Sequence, residues 1–148
     1  MAHAIQTANN STYVRSSVQA DDRAHQAYRI LQLGFVVAPI VAGADKFLHL
    51  LVDWDMYLAP VVDRILGGNG HLFMLAAGVI EIIAGIGVAL KPKVFAYVVA
   101  AWLVGIVLNL LLAQAFYDVA LRDLGLALGA LALARLSHEF ARPSAYRK

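Results

Sequence analysis

The 148-residue sequence contains no cysteine, which removes disulfides, thiolate metal ligands, cysteine-held iron–sulfur clusters and thiol nucleophiles from its chemistry. Charge is scarce too: Asp, Glu, Lys and Arg together make up 15% of the chain. The first 26 residues hold no apolar core of the kind a secretory signal needs. No Ser lies in a GxSxG frame, no HExxH spacing occurs, and the glycines do not form a phosphate-binding loop. Nucleophilic catalysis therefore has no support, and no metal is assigned.

What is present in quantity is apolar surface. The chain is 61% hydrophobic, and its mean hydropathy is +0.68, which suits a single integral membrane domain. The net charge of +2 and pI near 9.0 do not make a nucleic-acid face, because the basic residues sit at the ends of apolar runs. The expected partner is the lipid bilayer, with no nucleic acid.

Residues 71–90, HLFMLAAGVIEIIAGIGVAL, carry one carboxylate, Glu81, at their middle. As a helix they cover roughly 30 Å, enough to cross a bilayer. Ala77, Gly78, Ala84 and Gly85 share the face of Glu81, while Leu72, Val79, Ile83, Ile86 and Leu90 fall opposite. Small residues admit a neighbouring helix and branched aliphatics suit lipid, so Glu81 is expected to point into a bundle.

Three further spans follow from the same pattern. Residues 29–48 show one stripe of Arg29, Gln32, Val36, Pro39, Gly43 and Lys46 and another of Gly34, Ala38, Ala42 and Asp45; both faces should be enclosed, with a kink at Pro39. Residues 94–117 place Trp102, Gly105, Asn109, Ala113 and Phe116 on an inward face. Residues 119–136 carry Gly125 and Gly129 as a GxxxG contact, with Asp118 and Arg122 spaced to pair. Lys91-Pro92-Lys93 forces the second and third spans into an antiparallel hairpin, and residues 59–66 suit a short interfacial helix ended by Gly67 and Gly68. The fold class is thus all-α, a four-helix transmembrane bundle. It comprises a polar tail (1–26), the membrane domain (27–136) and a basic C-terminal tail (137–148).

Orientation follows from lysine and arginine. Arg15, Arg23, Arg29, Lys91, Lys93, Arg135, Arg142, Arg147 and Lys148 lie at one end, against Lys46, Arg64 and Arg122 at the other. Both termini are therefore expected in the cytoplasm, in a multi-pass protein of the cell inner (plasma) membrane. Asp45, Lys46, His49, His71, Asp118, Arg122 and Asp123 then gather at the outer side.

The spans resemble the DoxX family of small four-helix membrane proteins. The resemblance rests on YRILQLGF with Arg29, VAGADKF with Gly43 and Lys46, GVIEIIAGIGVAL with Gly78, Glu81 and Gly85, and RDLGLALGALALA from Asp123 to Gly129. It covers about residues 27–136 and implies a four-helix bundle, sometimes the membrane subunit of an oxidoreductase such as thiosulfate:quinone oxidoreductase. The leading reading is accordingly a quinone-facing membrane subunit that works with soluble or membrane oxidoreductase subunits and carries no intrinsic cofactor, with quinone as candidate ligand.

The quinone or small-molecule set is Glu81, Asn109, Lys46 and Asp123. Glu81 and Asn109 lie at similar depth, roughly 15 and 12 Å from the outer helix ends, and could bond across the bundle. Asp45, His49, Asp118 and Arg122 form an outer polar cluster suited to an anionic head group or, equally, to a network that pins helix ends. His49 and His71 are the histidines that topology brings near each other. Two rival functions stay open: a small transporter or proton relay through Glu81, and a structural or assembly factor in which Glu81 only fixes helix register.

Overall fold

The computed structural model describes the backbone of residues 2–140 and the side chains of residues 19–140. All regular structure among these residues is helical, with no strand. α1 (Ala2–Leu48) leads into a 3-10 turn (Trp54–Tyr57) and the short α2 (Pro60–Ile65). α3 (Gly70–Leu90), α4 (Pro92–Ala113) and α5 (Tyr117–Phe140) complete it.

α1 runs unbroken from Ala2 through Pro39 to Leu48, because nothing between the polar stretch and the apolar one stops a helix. Residues 137–140 likewise belong to α5, and the rest of the basic C-terminal tail lies outside the described residues. α2 and α4 both open on proline at the first helical turn, where a missing N–H costs nothing. Gly67 and Gly68, at φ 66° and 80°, end α2. α4 stops at Ala113, four residues before the expected end, because Gln114 and Phe116 adopt left-handed φ of 54° and 56°.

The four long helices close into a ring in which α1 packs chiefly on α3 and α4 chiefly on α5, with lighter contacts joining the two pairs. The α1–α3 approach is set by glycine: a Cβ on Gly43 would lie 2.5 Å from the Gly78 carbonyl oxygen, and one on Gly78 would lie 2.7 Å from that of Gly43. Only hydrogen fits at either place. The α4–α5 pair meets through Ala96, Val99 and Ala100 on one side and Ala127, Ala130, Leu133 and Ala134 on the other.

A belt of aliphatics faces outward from all four helices, among them Ile30, Val37 and Val41, Val79, Ile83 and Ile86, Leu108 and Leu112, and Leu121, Leu124 and Leu128. A water-soluble bundle would bury such residues, whereas lipid accepts them. Residues 19–48, α3 and α4 are each long and apolar enough to cross a membrane.

Three expected contacts are corrected. Gly125 meets nothing within 4 Å and Gly129 meets only the Phe35 ring, so GxxxG is not where two backbones touch. On α1, the stripe of Gly34 and Ala38 is exposed rather than enclosed, since α3 and α5 cover only the other side. On α4, Gly105 is exposed, because the alanine face turns towards α5 and leaves Trp102 and Asn109 half-buried.

Candidate functional site

Glu81 does point inward, as its small neighbours predict: it is 6% exposed, and Ala77, Gly78, Ala84 and Gly85 are buried around it. Its partner is Lys46, itself 4% exposed, whose Nζ lies 2.6 Å from Glu81 Oε2. The other carboxylate oxygen, Oε1, accepts from Trp102 Nε1 at 3.2 Å. Local sequence explains the meeting. Gly43 and Gly78 bring the two antiparallel backbones together, which sets Lys46 beside Gly78 and Glu81 beside Gly43, and the long Lys46 side chain then reaches along the seam to the Glu81 carboxylate.

Lys46 is enclosed from above as well. Its Nζ sits 3.8 Å from the centroid of the Trp54 ring, a cation–π contact, while Trp54 Nε1 donates to Asp45 Oδ2 at 2.7 Å. Asp45 also accepts from the backbone N–H groups of Leu50 and Leu51, each at 3.0 Å to Oδ1, which folds the chain back over the end of α1. Asp45, Trp54, Lys46, Glu81 and Trp102 thus form one polar chain through α1, the 3-10 turn, α3 and α4. Removing charge from water is costly, and such a pair persists only when both partners are held by further bonds.

Asn109 does not join Glu81. Its Oδ1 accepts from Ala59 N at 3.0 Å and its Nδ2 donates to the Tyr57 carbonyl at 2.7 Å. An amide that answers one N–H and one C=O stitches the loop before α2 onto α4. Asp123, half-buried on α5, lies within electrostatic range of Lys46 and Glu81 without bonding to either.

The outer polar cluster divides. Asp45 belongs to the chain just described. Asp118 and Arg122 are exposed and form no ion pair among the described residues, since solvent on that face of α5 satisfies each of them. His49 ends α1 in a left-handed conformation (φ 51°), and its ring stacks on His71 at 5.9 Å as topology suggests. His71 Nδ1 is also 2.7 Å from Asp55 Oδ2.

The sequence reading missed the tryptophans and Asp55. In the sequence Trp54 stands between Asp53 and Asp55 in a connecting stretch, and Trp102 lies on the inward face of its span with no partner assigned. The available signal was their scarcity: the chain has two tryptophans, and each indole N–H goes to a carboxylate. Comparison with protein-family models, with curated proteins and with solved structures finds no match to this chain.

Proposed function

We propose that the chain is a DoxX-like integral membrane protein that crosses the membrane four times and serves as the quinone-facing subunit of an oxidoreductase complex. The observation that carries this reading is the Lys46–Glu81 pair, because two residues of the DoxX-like motifs, far apart in sequence, meet in an apolar interior. The proposed fourth crossing is α5. Asp118, Arg122 and Asp123 occupy its first turns and lower its mean hydropathy, but residues 124–134 carry no charge and Leu124, Leu128 and Leu131 face outward. Four crossings place both termini on one side, and the sequestering of Lys46 by Glu81 leaves only Arg64 and Arg122 as accessible basic residues at the far end. By the positive-inside rule the termini are then cytoplasmic.

In this reading the quinone ring approaches from lipid along the exposed face of α1, where Gly34, Ala38 and Ala42 floor an apolar groove bounded by Trp54. Lys46 Nζ lies 3.8 Å from the centroid of that Trp54 ring, and Lys46–Glu81 is the proton-bearing pair assigned to a reduced ring there. Electrons come from the partner subunit, since a chain without cysteine holds no thiolate-bound redox centre of its own.

One observation favours a second reading, a purely structural subunit: both oxygens of Glu81 are already occupied, by Lys46 and Trp102. Purification of the native complex in mild detergent, with analysis of its proteins and quinone, separates the two. A stoichiometric oxidoreductase subunit together with quinone that falls in Glu81→Gln supports the first reading; an assembly without quinone in either form supports the second.

A further inference from the structure

The loop end of the bundle holds another cluster, which the quinone reading does not use. His49, Asp55 and His71 come from the end of α1, the 3-10 turn and the first turn of α3, and one ligand atom from each lies within 4.8 Å of the others. Asp55 Oδ2 already holds His71 Nδ1. Its second oxygen, Oδ1, is buried and is the one buried side-chain polar atom among the described residues without a hydrogen-bond partner. A buried acceptor left unmet costs about 1–3 kcal/mol, and a cation held by the Asp55 carboxylate through both oxygens offsets it.

We propose that His49, Asp55 and His71 bind one divalent cation of the zinc class at the loop end of the molecule. Two imidazoles and a carboxylate make a mixed nitrogen and oxygen donor set, which suits zinc and its neighbours in the first transition row, whereas calcium and magnesium favour oxygen alone. Ligands about 2.1 Å from a tetrahedral ion stand roughly 3.4 Å apart, which asks the cluster to draw in from its separations of up to 4.8 Å. Side-chain rotation is open to it, because the His71 side chain is 58% exposed. A cleft of about 350 Å³ lined by Asp55, Asp63 and His71 connects the cluster to solvent, and the fourth position falls to water. The ion takes the place of the proton between His71 Nδ1 and Asp55 Oδ2, so that both atoms become ligands.

The test uses the full chain in detergent, without a histidine tag and stripped by chelator, titrated with Zn²⁺ and separately with Co²⁺. The expected result is one Zn²⁺ per chain and the visible bands of tetrahedral Co²⁺. Affinity should fall about tenfold or more in His71→Gln and in Asp55→Asn, the latter keeping an acceptor for His71 and so preserving the fold. His138→Gln, at the opposite end of the bundle, should bind as the parent does. Absence of saturable uptake, unchanged affinity in both cluster variants, loss in His138→Gln, or displacement of Zn²⁺ by equimolar Mg²⁺ overturns the proposal.

Discussion

Lys46 Nζ lies 2.6 Å from Glu81 Oε2, and this pair fastens the C-terminal end of α1 to the middle of α3. Removing one member leaves a buried charge without its counter-ion, at a cost of about 3–5 kcal/mol, whereas removing both with apolar replacements of similar volume costs far less. Lys46→Met and Glu81→Leu should therefore each lower the unfolding midpoint in detergent strongly, and the double variant should recover a large part of the loss. A double variant whose loss equals the sum of the two singles contradicts the pairing.

The glycine contacts predict opposite outcomes for the same substitution. In Gly78→Ala the added methyl meets the Gly43 carbonyl oxygen, and α1 must move away from α3. Overpacking of this kind costs about 1–3 kcal/mol and loosens the Lys46–Glu81 contact with it. Gly125 faces open space, so Gly125→Ala should be neutral or stabilising by up to about 1 kcal/mol through helix propensity. Thermal unfolding of the two variants side by side checks the contrast.

Asn109 distinguishes a loop clamp from a ligand residue. In Asn109→Leu the Ala59 N–H and Tyr57 C=O lose their partners, so amide exchange at Ala59 should accelerate and stability should fall by about 1–3 kcal/mol. Quinone content should be unchanged. Loss of quinone with unaltered exchange at Ala59 would return Asn109 to the ligand set.

Much of the molecule was legible in its sequence for definite reasons. The bounds of α3 and the inward aim of Glu81 follow from a helical period of small residues, and the α3–α4 hairpin follows from a connection too short for anything else. The partner of Glu81 did not follow. Helical period gives the face of a residue but not its level relative to a neighbouring helix, and that level is fixed here by the contact of Gly43 with Gly78. Lys46, near the end of its helix, therefore stood in the same ligand set as Glu81 and among the outer polar residues without being paired to it, and Asn109, at a depth like that of Glu81, looked like the partner of Glu81. Asp55 was illegible for a different reason: its approach to His49 and His71 depends on the path of an irregular loop, which carries no period.

The absence of cysteine makes the crossing number directly measurable, because any introduced thiol is unique. Asp22→Cys, Met56→Cys and Glu139→Cys each place a thiol at an exposed position, the first and last near one end of the bundle and the second at the other. In sealed membrane vesicles of known orientation, an impermeant maleimide should label Met56→Cys from the non-cytoplasmic side, and should label Asp22→Cys and Glu139→Cys from the cytoplasmic side alone. Labelling of Glu139→Cys from the same side as Met56→Cys would show that α5 does not cross, and would contradict the four-crossing bundle.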